Sequence, residues 1–412
     1  MKFEAPRGTH DVLPSEQPRW RHVVGAIESL CARYGYRPIQ TPGFEETGLF
    51  ARTSGEGSDI VQKEMYTFAD RSDRSLTLRP EGTAPIVRAY LEHGLHREPQ
   101  PQKLYTVATM YRYATPQRGR FREHWQASVE AIGSDDPAVD AELIQLYAQL
   151  LSELGLTEYE LQLNSIGDRA CRPQYVERLS AWLDEHEDVL DEDARQKRET
   201  SPLRVFDVKD DGVRTGLAGA PKIGDSLCPA CEEHFAAVRA LLDEFDVEYV
   251  LVPTLVRGLD YYTRTTFEFV DAALGGQSTI CGGGRYDYLA EELGGRATPG
   301  IGFGAGIERL LISLEEGQVP LEATQPAVDV FFAFEDPARR TEVLSDMTRL
   351  RTRGLACDTD YAGRSLKGQL TQAGRLEARL TVIVRAGGLT VRRPEKEDVE
   401  VADVDAAVML LE

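Results

Sequence analysis

An unusual concentration of arginine lies in the segment YRYATPQRGRFREHWQ. Four arginines fall within eleven residues, with no acidic residue between the first and the last: Arg112, Arg118, Arg120 and Arg122. The planar guanidinium group matches two phosphate oxygens with a pair of hydrogen bonds. We therefore predict a basic loop that grips a nucleoside triphosphate and a nucleic-acid backbone. The alternative is a solvated charged loop, which is weaker in a chain of net charge −21.

Polar groups suited to an adenylating reaction also lie outside this loop. Glu81 and Thr83 lie in LRPEGTA, while Gln126 and Glu130 would face the same side of a strand. Carboxylates there can hold an ammonium group. Arginines and aromatic rings come from three other segments: Arg257 and Tyr262 in LVRGLDYYTRT, Tyr286 in GGGRYDYL, and Arg309 in GIERL. Each group alone could be structural, but together they predict activation of an amine-bearing substrate by ATP.

The elements that position these groups are predicted by hydrophobic spacing. Apolar residues at i, i+3, i+4 and i+7 over 20–34 predict a helix that stops at Gly35, and YRPIQTP predicts a strand that ends at Pro42. A second helix is predicted over 137–154. The flanks of the basic loop, KLYTVATMYRY and EHWQASVEAIG, predict two antiparallel strands. Residues 250–310 predict further strands broken by glycines.

The last part of the chain predicts a separate domain. A linker, EEGQVPLEATQP, precedes the strand VDVFFAF, a helix from Pro337, the strand LACDTD, the helix SLKGQLTQAGRL and the strand ARLTVIV. Two crossover units of this kind form a small α/β domain. We therefore predict domains over 1–325 and 326–412. Between about 170 and 240, a weak apolar period and an acidic run predict an inserted, partly helical subdomain.

Composition and short motifs exclude several classes of protein. The longest apolar runs are far shorter than a membrane helix, and the charged N-terminus has no secretory h-region. Six cysteines in 412 residues do not form a disulfide framework, so we expect a cytoplasmic protein with reduced thiols. The glycines of GIGFGAGIERL miss the third position of the dinucleotide fingerprint. The net charge argues against a uniformly basic surface but permits a local basic site.

At these motifs the chain resembles the histidyl-tRNA synthetase family, which belongs to the class II aminoacyl-tRNA synthetases. The resemblance runs from RGTHDVLP through LNSIGD to the C-terminal domain. The helix and strand over 20–42 are similar to class II motif 1, MYRYATPQRGRFRE to motif 2, and GIGFGAGIERL to motif 3. LVRGLDYYTRT and GGGRYDYL are similar to segments that mark the histidine member. The resemblance implies an α+β catalytic domain built on a mostly antiparallel sheet with an inserted subdomain, a C-terminal α/β anticodon-binding domain with a mixed sheet, and a homodimer.

The resemblance also implies a role for each matching residue, with ATP and magnesium as the substrate complex. Three arginines would be catalytic because they hold negative charge on the phosphates: Arg112, Arg257 and Arg309. The residues that would hold histidine are Glu81, Thr83, Gln126, Glu130, Tyr262 and Tyr286. The residues that would hold ATP are Arg112, Arg120, His124, Arg257, Gly304 and Arg309.

Contacts with tRNA are implied at two places. Gln117 and Arg120 of the basic loop would face the acceptor end of the tRNA. Arg364 and Lys367, in YAGRSLKGQL, are candidates for the anticodon, with the start of a surface helix as the alternative. Affinity for tRNA is expected to fall as salt is raised.

Two departures from the family pattern fall on the adenine side of the implied site. Ala114 stands where motif 2 of the family usually carries a carboxylate. His124, Trp125 and Gln126 stand where the family usually has Phe-His-Gln. His124 still offers a flat ring on which adenine can stack.

The inserted subdomain contains a Cys-x-x-Cys pair, Cys228 and Cys231. Such a pair is half of a zinc site, and Cys171 and His234 are candidates for the other two ligands. We expect simple reduced thiols here, with zinc as the alternative.

The resemblance implies that ATP and histidine give histidyl-adenylate and pyrophosphate, after which the acyl group passes to the tRNA. The alternative is a non-catalytic paralogue resembling the regulatory subunit of ATP phosphoribosyltransferase. Such paralogues typically lack the C-terminal domain and disrupt the catalytic arginines. This chain retains the C-terminal domain and has Arg112, Arg257 and Arg309, so we expect the enzyme.

Overall fold

Two compact units make up the chain, Met1–Glu322 and Ala323–Glu412. The predicted domain boundary at 325/326 lies outside the described residues. Among the residues that are described, no helix is long and apolar enough to cross a membrane. The computed structural model describes residues 3–55, 58, 60–208, 210–320 and 328–411.

A large, mostly antiparallel sheet forms the centre of the first unit. The strands in the described part of this unit are β1 (Arg37–Pro38), β2 (Phe44–Glu46), β3 (Thr67–Ala69), β4 (Ser75–Leu78), β5 (Gln102–Tyr111), β6 (Glu123–Ile132), β7 (Glu160–Ser165), β8 (Val250–Leu251), β9 (Thr263–Val270), β10 (Thr279–Arg285) and β11 (Gly300–Gly306). Eight of them pair in the order β1-β5-β6-β11-β10-β9-β7-β8, and only the edge pairs β1–β5 and β7–β8 are parallel. The other three form a small sheet. The predicted antiparallel architecture is therefore confirmed.

Helices cover this sheet and build the insertion. Those of the described part of the first unit are α1 (Gln17–Arg33), α2 (Thr47–Ser54), α3 (Thr83–Glu92), α4 (Pro137–Glu153), α5 (Arg172–Glu185), α6 (Glu192–Thr200), α7 (Asp211–Gly216), α8 (Pro229–Glu244), α9 (Leu289–Glu292) and α10 (Ile307–Glu316). Helices α1, α4, α8 and α10 supply apolar side chains to one continuous core with the large sheet. Helices α5 to α7 and the turns between them have a smaller core of their own.

The two predicted helices of this unit are confirmed by α1 and α4. Gly35 follows α1 with φ +79°, and Asp136 caps α4 by accepting a hydrogen bond from the Ala138 amide at 2.9 Å. The strand predicted to end at Pro42 is wrong in its length, because β1 ends at Pro38. Proline has no amide hydrogen to donate to a ladder, and two prolines in five residues limit the pairing.

Alternation along three central strands separates the core from the functional face. The side chains that enter the core are Ala127, Val129 and Ala131 of β6, Phe267 and Phe269 of β9, and Ile301, Phe303 and Ala305 of β11. The residues between them belong to the opposite face, since successive side chains on a strand alternate. That face presents Gln126, Ser128 and Glu130 on β6, Glu268 on β9, and glycines 302, 304 and 306 on β11.

The second unit is a small α/β domain with a five-stranded mixed sheet. Its described elements are β12 (Val330–Phe334), α11 (Arg340–Thr352), β13 (Cys357–Thr359), α12 (Leu366–Arg375), β14 (Leu380–Arg385), β15 (Gly388–Arg392), β16 (Val399–Val401) and α13 (Val404–Val408). The strand order is β13-β12-β14-β15-β16. β12 is parallel to β13 and β14, and β15 is antiparallel to its neighbours β14 and β16. The two predicted crossover units are confirmed, whereas β15, β16 and α13 were not predicted.

Candidate active site

A cavity of about 360 Å³ lies on the functional face of the large sheet. This volume is within the range of ligand pockets. The sequence-predicted residues that line it are Glu81, Thr83, Arg112, Arg120, His124, Gln126, Arg257, Tyr262, Gly304 and Arg309. These residues come from segments up to 228 positions apart, from 81 to 309, and the sheet brings them together.

The basic loop is a hairpin between β5 and β6, as predicted. Gln117 and Arg120 pair with each other across a tight turn, which Gly119 closes with φ +71°. Arg112 and Arg120 face the cavity. The Arg112 Nε donates to the Pro80 carbonyl at 2.7 Å, and Arg120 pairs with Glu64. The turn therefore directs two of the predicted arginines inward.

The other two arginines of the loop have structural contacts. Arg118 is exposed and pairs with Glu316. The Arg122 guanidinium stacks 3.9 Å from the centre of the Tyr113 ring, and its amide donates to the Gly8 carbonyl at 2.7 Å. The hairpin therefore contributes two arginines to the cavity rather than four.

Arg309 and Arg257 complete the basic wall of the cavity. Arg309 donates from Nε to the Gly119 carbonyl and from a terminal nitrogen to the Thr279 carbonyl, both at 2.7 Å. Burial, reinforced by neighbouring arginines, lowers the pKa of Arg309 to about 10, so it stays charged at neutral pH. Arg257 pairs with Glu268, whose other oxygen accepts from the Thr279 hydroxyl at 2.9 Å. Backbone carbonyls and one carboxylate thus hold both guanidinium groups in place.

A chain of buried polar groups lies beneath the opposite end of the cavity. The Glu130 carboxyl accepts from the Thr83 hydroxyl at 2.7 Å and from the Tyr286 hydroxyl at 2.6 Å. Glu130 is fully buried, and this burial raises its pKa to about 8. Glu81 accepts hydrogen bonds from the amides of Thr83 and Ala84 and so caps α3, while burial also raises its pKa. Two buried carboxyl groups, Glu81 and Glu130, are therefore both hydrogen-bonded to Thr83, which lines the cavity.

Glycines of β11 make room for these side chains. Gly302 lies opposite Glu130 and Gly304 lies opposite Ser128 in the β6–β11 register. A Cβ on Gly302 would overlap the Glu130 carboxylate, and one on Gly304 would stand 2.7 Å from the Gln126 side-chain nitrogen. The glycines of GIGFGAG thus serve the packing of functional side chains in addition to any approach by a ligand.

Two titratable groups near the arginines have strongly shifted pKa values. Burial, followed by the charges of neighbouring arginines, lowers the pKa of His124 to about 3. Its Nδ1 has no hydrogen-bond partner among the described residues, so His124 is a neutral ring on the cavity wall. Burial raises the pKa of Glu308 to about 7, and its carboxyl accepts from the Trp125 amide at 2.8 Å. The replacement of Phe-His-Gln by His-Trp-Gln therefore keeps an uncharged ring at the first position.

Not every predicted residue lines the cavity. Glu130 and Tyr286 lie beneath the lining and reach it through Thr83, and Gln117 is exposed in the hairpin turn. In the second unit, Arg364 and Lys367 are exposed at the start of α12. Arg364 donates to the buried Asp360 at 2.6 Å.

Several lining residues were missed by the sequence analysis. They include Glu268, Thr279 and Glu308. Glu308 directly precedes Arg309 in GIERL. Glu268 lies between two core phenylalanines on β9, so strand alternation was the available signal for this residue. Its position opposite Gly282 in the sheet is a second sign that it faces the cavity.

The cysteine prediction needs one correction. Cys171, Cys228 and Cys231 do lie together, but the fourth member of the group is Asp168 rather than His234. The His234 ring instead lies 3.7 Å from the Asp140 carboxylate. His234 lies three residues after Cys231, one turn further along α8, and at that level of the helix its side chain packs against Asp140 of α4.

Comparisons with known proteins agree with this geometry. A profile described as histidyl-tRNA synthetase matches residues 8–310. A histidine–tRNA ligase from Caldanaerobacter subterraneus subsp. tengcongensis is 46% identical over 93% of this chain and 92% of its own length. One from Moorella thermoacetica is 46% identical over 98% of this chain and 97% of its own length. The structure of apo S. aureus histidyl-tRNA synthetase is 36% identical, covers both chains fully and has a TM-score of 0.84.

A more distant match concerns the regulatory alternative. A structure from Bacillus halodurans, titled as an ATP phosphoribosyltransferase regulatory subunit/histidyl-tRNA synthetase, is 23% identical with a TM-score of 0.67 and covers 94% of this chain and 99% of its own. At this identity the likeness shows the fold alone.

The sheet, its arginine hairpin and its glycine strand followed by α10 define a catalytic domain of the class II aminoacyl-tRNA synthetases. Within that class, the family profile and the close relatives leave one assignment. The chain belongs to the histidyl-tRNA synthetase family.

Proposed function

We propose that this chain attaches histidine to its tRNA in two steps at the cavity of the first unit. In the first step, a carboxylate oxygen of histidine bonds to the α-phosphorus of ATP, which enters as its magnesium complex. The bond from that phosphorus to the oxygen bridging the β-phosphate breaks, and the electron pair leaves with pyrophosphate. In the second step, a ribose hydroxyl at the end of the tRNA attacks the carbonyl carbon of histidyl-adenylate, and AMP leaves.

The observation that carries this proposal is a single cavity with arginines in one wall and buried carboxyl groups at its other end. Arg112, Arg257 and Arg309 would hold the negative charge that builds up on the α-phosphate and on pyrophosphate. Their contacts with Pro80, Glu268 and Gly119 fix them beforehand, so little reorganisation is needed during the reaction. Substitution at the charged α-phosphorus, like phosphoryl transfer, depends mainly on this kind of fixed electrostatic support.

The carboxyl end of the cavity suits histidine. Glu81 and Glu130 with Thr83 would take the α-amino group, and Gln126 would orient it. Tyr262, which lines the cavity, and Tyr286, whose hydroxyl donates to Glu130, would fix the imidazole. A competing amino acid without ring nitrogens would leave buried polar groups unpaired, which gives strong discrimination.

The adenine and phosphate contacts follow from the other wall. The neutral His124 ring would stack on adenine, Gly304 would let ATP lie close to the sheet, and Arg120 would exchange its contact with Glu64 for a phosphate. Gln117 and Arg120, at the hairpin turn, would contact the acceptor end of the tRNA. Arg364 and Lys367 would serve the anticodon.

The proposal extends to assembly and location. Helix α1, in the segment similar to motif 1, would contribute to a homodimer interface. A cytoplasmic location is supported by the six cysteines, which are all free. Light scattering on the purified protein tests the dimer directly.

Histidine-dependent exchange of pyrophosphate into ATP tests the first step, and charging of a histidine tRNA transcript tests the second. We expect both activities from the same preparation. Binding of histidine without exchange, in folded protein, would overturn the proposal and favour the regulatory paralogue. That paralogue is disfavoured because Arg112, Arg257 and Arg309 all line the cavity.

A further inference from the structure

Four side chains from two distant segments meet at the base of the insertion: Asp168, Cys171, Cys228 and Cys231. Their ligand atoms all lie within 4.8 Å of one another. The Cys171 sulfur is 3.9 Å from the Cys231 sulfur and 3.7 Å from Asp168 Oδ1, and the Cys228 sulfur is 4.0 Å from the same oxygen. We propose that these four residues bind one structural zinc ion that ties the two ends of the insertion together.

The separations suit a tetrahedral ion. Zinc–sulfur bonds of about 2.3 Å at tetrahedral angles place neighbouring ligand atoms about 3.8 Å apart. Three of the six separations are 3.7, 3.9 and 4.0 Å, close to this value, and the other three do not exceed 4.8 Å. Thiolates with one carboxylate are ligands that zinc accepts, and four protein ligands leave no open position, as in structural zinc sites.

The electrostatic surroundings of the cluster include two helix N-termini and one arginine. Cys171 directly precedes α5 and Cys228 directly precedes α8, so the positive ends of two long helices point towards the thiols. Three thiolates and a carboxylate exceed the charge of Zn²⁺ by two. Arg264 offsets part of this excess, because its guanidinium lies 3.4 Å from Asp168 Oδ2.

The same arginine orients the carboxylate. Because Arg264 takes Oδ2, Asp168 Oδ1 is the oxygen that faces the sulfurs. Oδ1 also accepts from the Ala170 amide at 2.9 Å, and a carboxylate oxygen retains a second lone pair for a metal. Asp168 therefore has the support that ligating carboxylates usually have in metal sites.

The loop before Cys171 is shaped around its sulfur. Gly167 has φ +62°, and a Cβ at this position would stand 2.6 Å from the Cys171 sulfur. Only glycine allows both this backbone conformation and this approach. A disulfide is a poorer account of the cluster, since the Cys171–Cys231 sulfur separation of 3.9 Å is far from the bonded distance of about 2.05 Å.

The position of the cluster explains what the ion would do. It joins residues 168–171, at the entrance of the insertion, to residues 228–231, at its exit. The segment enclosed between them, 172–227, has its own small core around α5 to α7. Such a core gains most from a crosslink at its ends, because closing a long loop reduces the entropy of its unfolded form.

Metal analysis of the reduced full-length protein, expressed with added zinc and purified without chelator, tests the proposal. We expect about one zinc per chain, as four-ligand structural sites hold one ion. Asp168→Asn and Cys228→Ser should lose most of this zinc. His234→Gln should retain it, and Cys357→Ser in the second unit controls for the general effect of losing a thiol.

A measurement on the unaltered chain keeps the test decisive if the variants fold poorly. Cobalt(II) added to chelator-treated, reduced protein should give thiolate-to-metal absorption that saturates at one equivalent and disappears when zinc is added. Removal of the ion should also speed proteolysis within 172–227. Purified protein without zinc together with no cobalt absorption would overturn the proposal. Loss of zinc in His234→Gln with retention in Asp168→Asn would overturn the assigned ligands.

Discussion

At the scale of single residues, Arg257 is the most direct test of how the cavity stabilises charge. It lies on the cavity wall, paired with Glu268 over the space that Gly282 leaves open. Arg257→Ala removes the cation and leaves an acid facing the phosphates. We expect the rate of histidine-dependent pyrophosphate exchange to fall by about 10²–10³-fold, the usual effect of losing one preorganised donor. The dissociation constant for histidine should change little.

Arg118→Ala is the matched control, since Arg118 belongs to the neighbouring hairpin but is exposed and pairs with Glu316. Its exchange rate should remain close to that of the unaltered protein. Exchange at a near-normal rate in Arg257→Ala would show that the assigned role is wrong.

Glu130 predicts that histidine binding is coupled to release of a proton. With a pKa of about 8, its carboxyl holds a proton at pH 7 in the empty site. An ammonium group nearby favours the charged carboxylate, so the proton should leave when histidine binds. Calorimetry at pH 7 in buffers of different ionisation enthalpy should therefore give buffer-dependent binding enthalpies. Glu130→Gln should abolish this dependence, and Glu153→Gln, remote on α4, should keep it.

The same shift has a consequence for stability. The folded protein holds this proton up to about pH 8, whereas the unfolded chain loses it near the ordinary value of 4.5. The folded state therefore binds more protons between these values, and the contribution of Glu130 to stability falls as the pH rises through that window.

Histidine binding without any buffer dependence in the unaltered protein would contradict a neutral Glu130.

The sequence predicted which residues form the site better than it predicted their contacts. Ten of the predicted residues line the cavity. They could be predicted because arginines, acids and aromatic rings are recognised from residue type and motif alone. The position of Glu130 beneath Thr83, and the capping of α3 by Glu81, depend on how strands and helices pack, which local patterns do not encode. Glu308 was missed because its neighbour Arg309 has the more conspicuous chemistry.

At the scale of elements, strand β11 predicts a graded response to alanine. Gly302 faces Glu130, which Thr83 and Tyr286 hold in place, so a methyl group at 302 must displace a fixed carboxyl. Gly304 faces the Gln126 side chain, which would lie 2.7 Å from an added Cβ and makes a hydrogen bond to the Ser128 hydroxyl, whereas the Cβ at 302 would overlap a carboxyl held by two hydroxyls. We expect Gly302→Ala to reduce kcat/KM for histidine by about 10²-fold, the effect of an ångström-scale displacement. Gly304→Ala should have a smaller effect.

Gly374→Ala provides the control, since a Cβ at this position on α12 meets nothing within 4 Å. Circular dichroism and thermal unfolding of each variant separate a local defect from misfolding. Equal losses in Gly302→Ala and Gly304→Ala would contradict the argument from the fixed carboxyl.

The elements themselves were predicted where periodicity was long and caps were clear. Helices α1 and α4 and strands β5 and β6 are confirmed for this reason. Strands β15 and β16 have five and three residues, too few for a clear alternation, and each pairs with the strand before it in the chain. Strand β1 has only two residues, and its pairing depends on β5, which is distant in the sequence. Local sequence carries little information about such pairing.

At the scale of the whole molecule, the net charge of −21 and the proposed tRNA partner are compatible. A surface of this charge repels a polyanion, so tRNA would be confined to places where basic side chains outweigh the surrounding acids. Arg118 at the hairpin turn is such a place, and Arg364 and Lys367 of the second unit are another. The charge therefore restricts where tRNA binds and does not exclude it.

The division into two compact units predicts that the two reaction steps can be separated. Among the described residues, those that line the cavity fall between 81 and 309, within the first unit, and the second unit has cores on both faces of its own sheet. A chain ending at Pro320 should therefore keep histidine-dependent pyrophosphate exchange within a few-fold of the full-length rate. Charging of tRNA should fall much further, because the proposed anticodon contacts are removed while the adenylating machinery is not. Both assays on one preparation check this, and an equal loss of both in a folded fragment would show that the second unit takes part in adenylation.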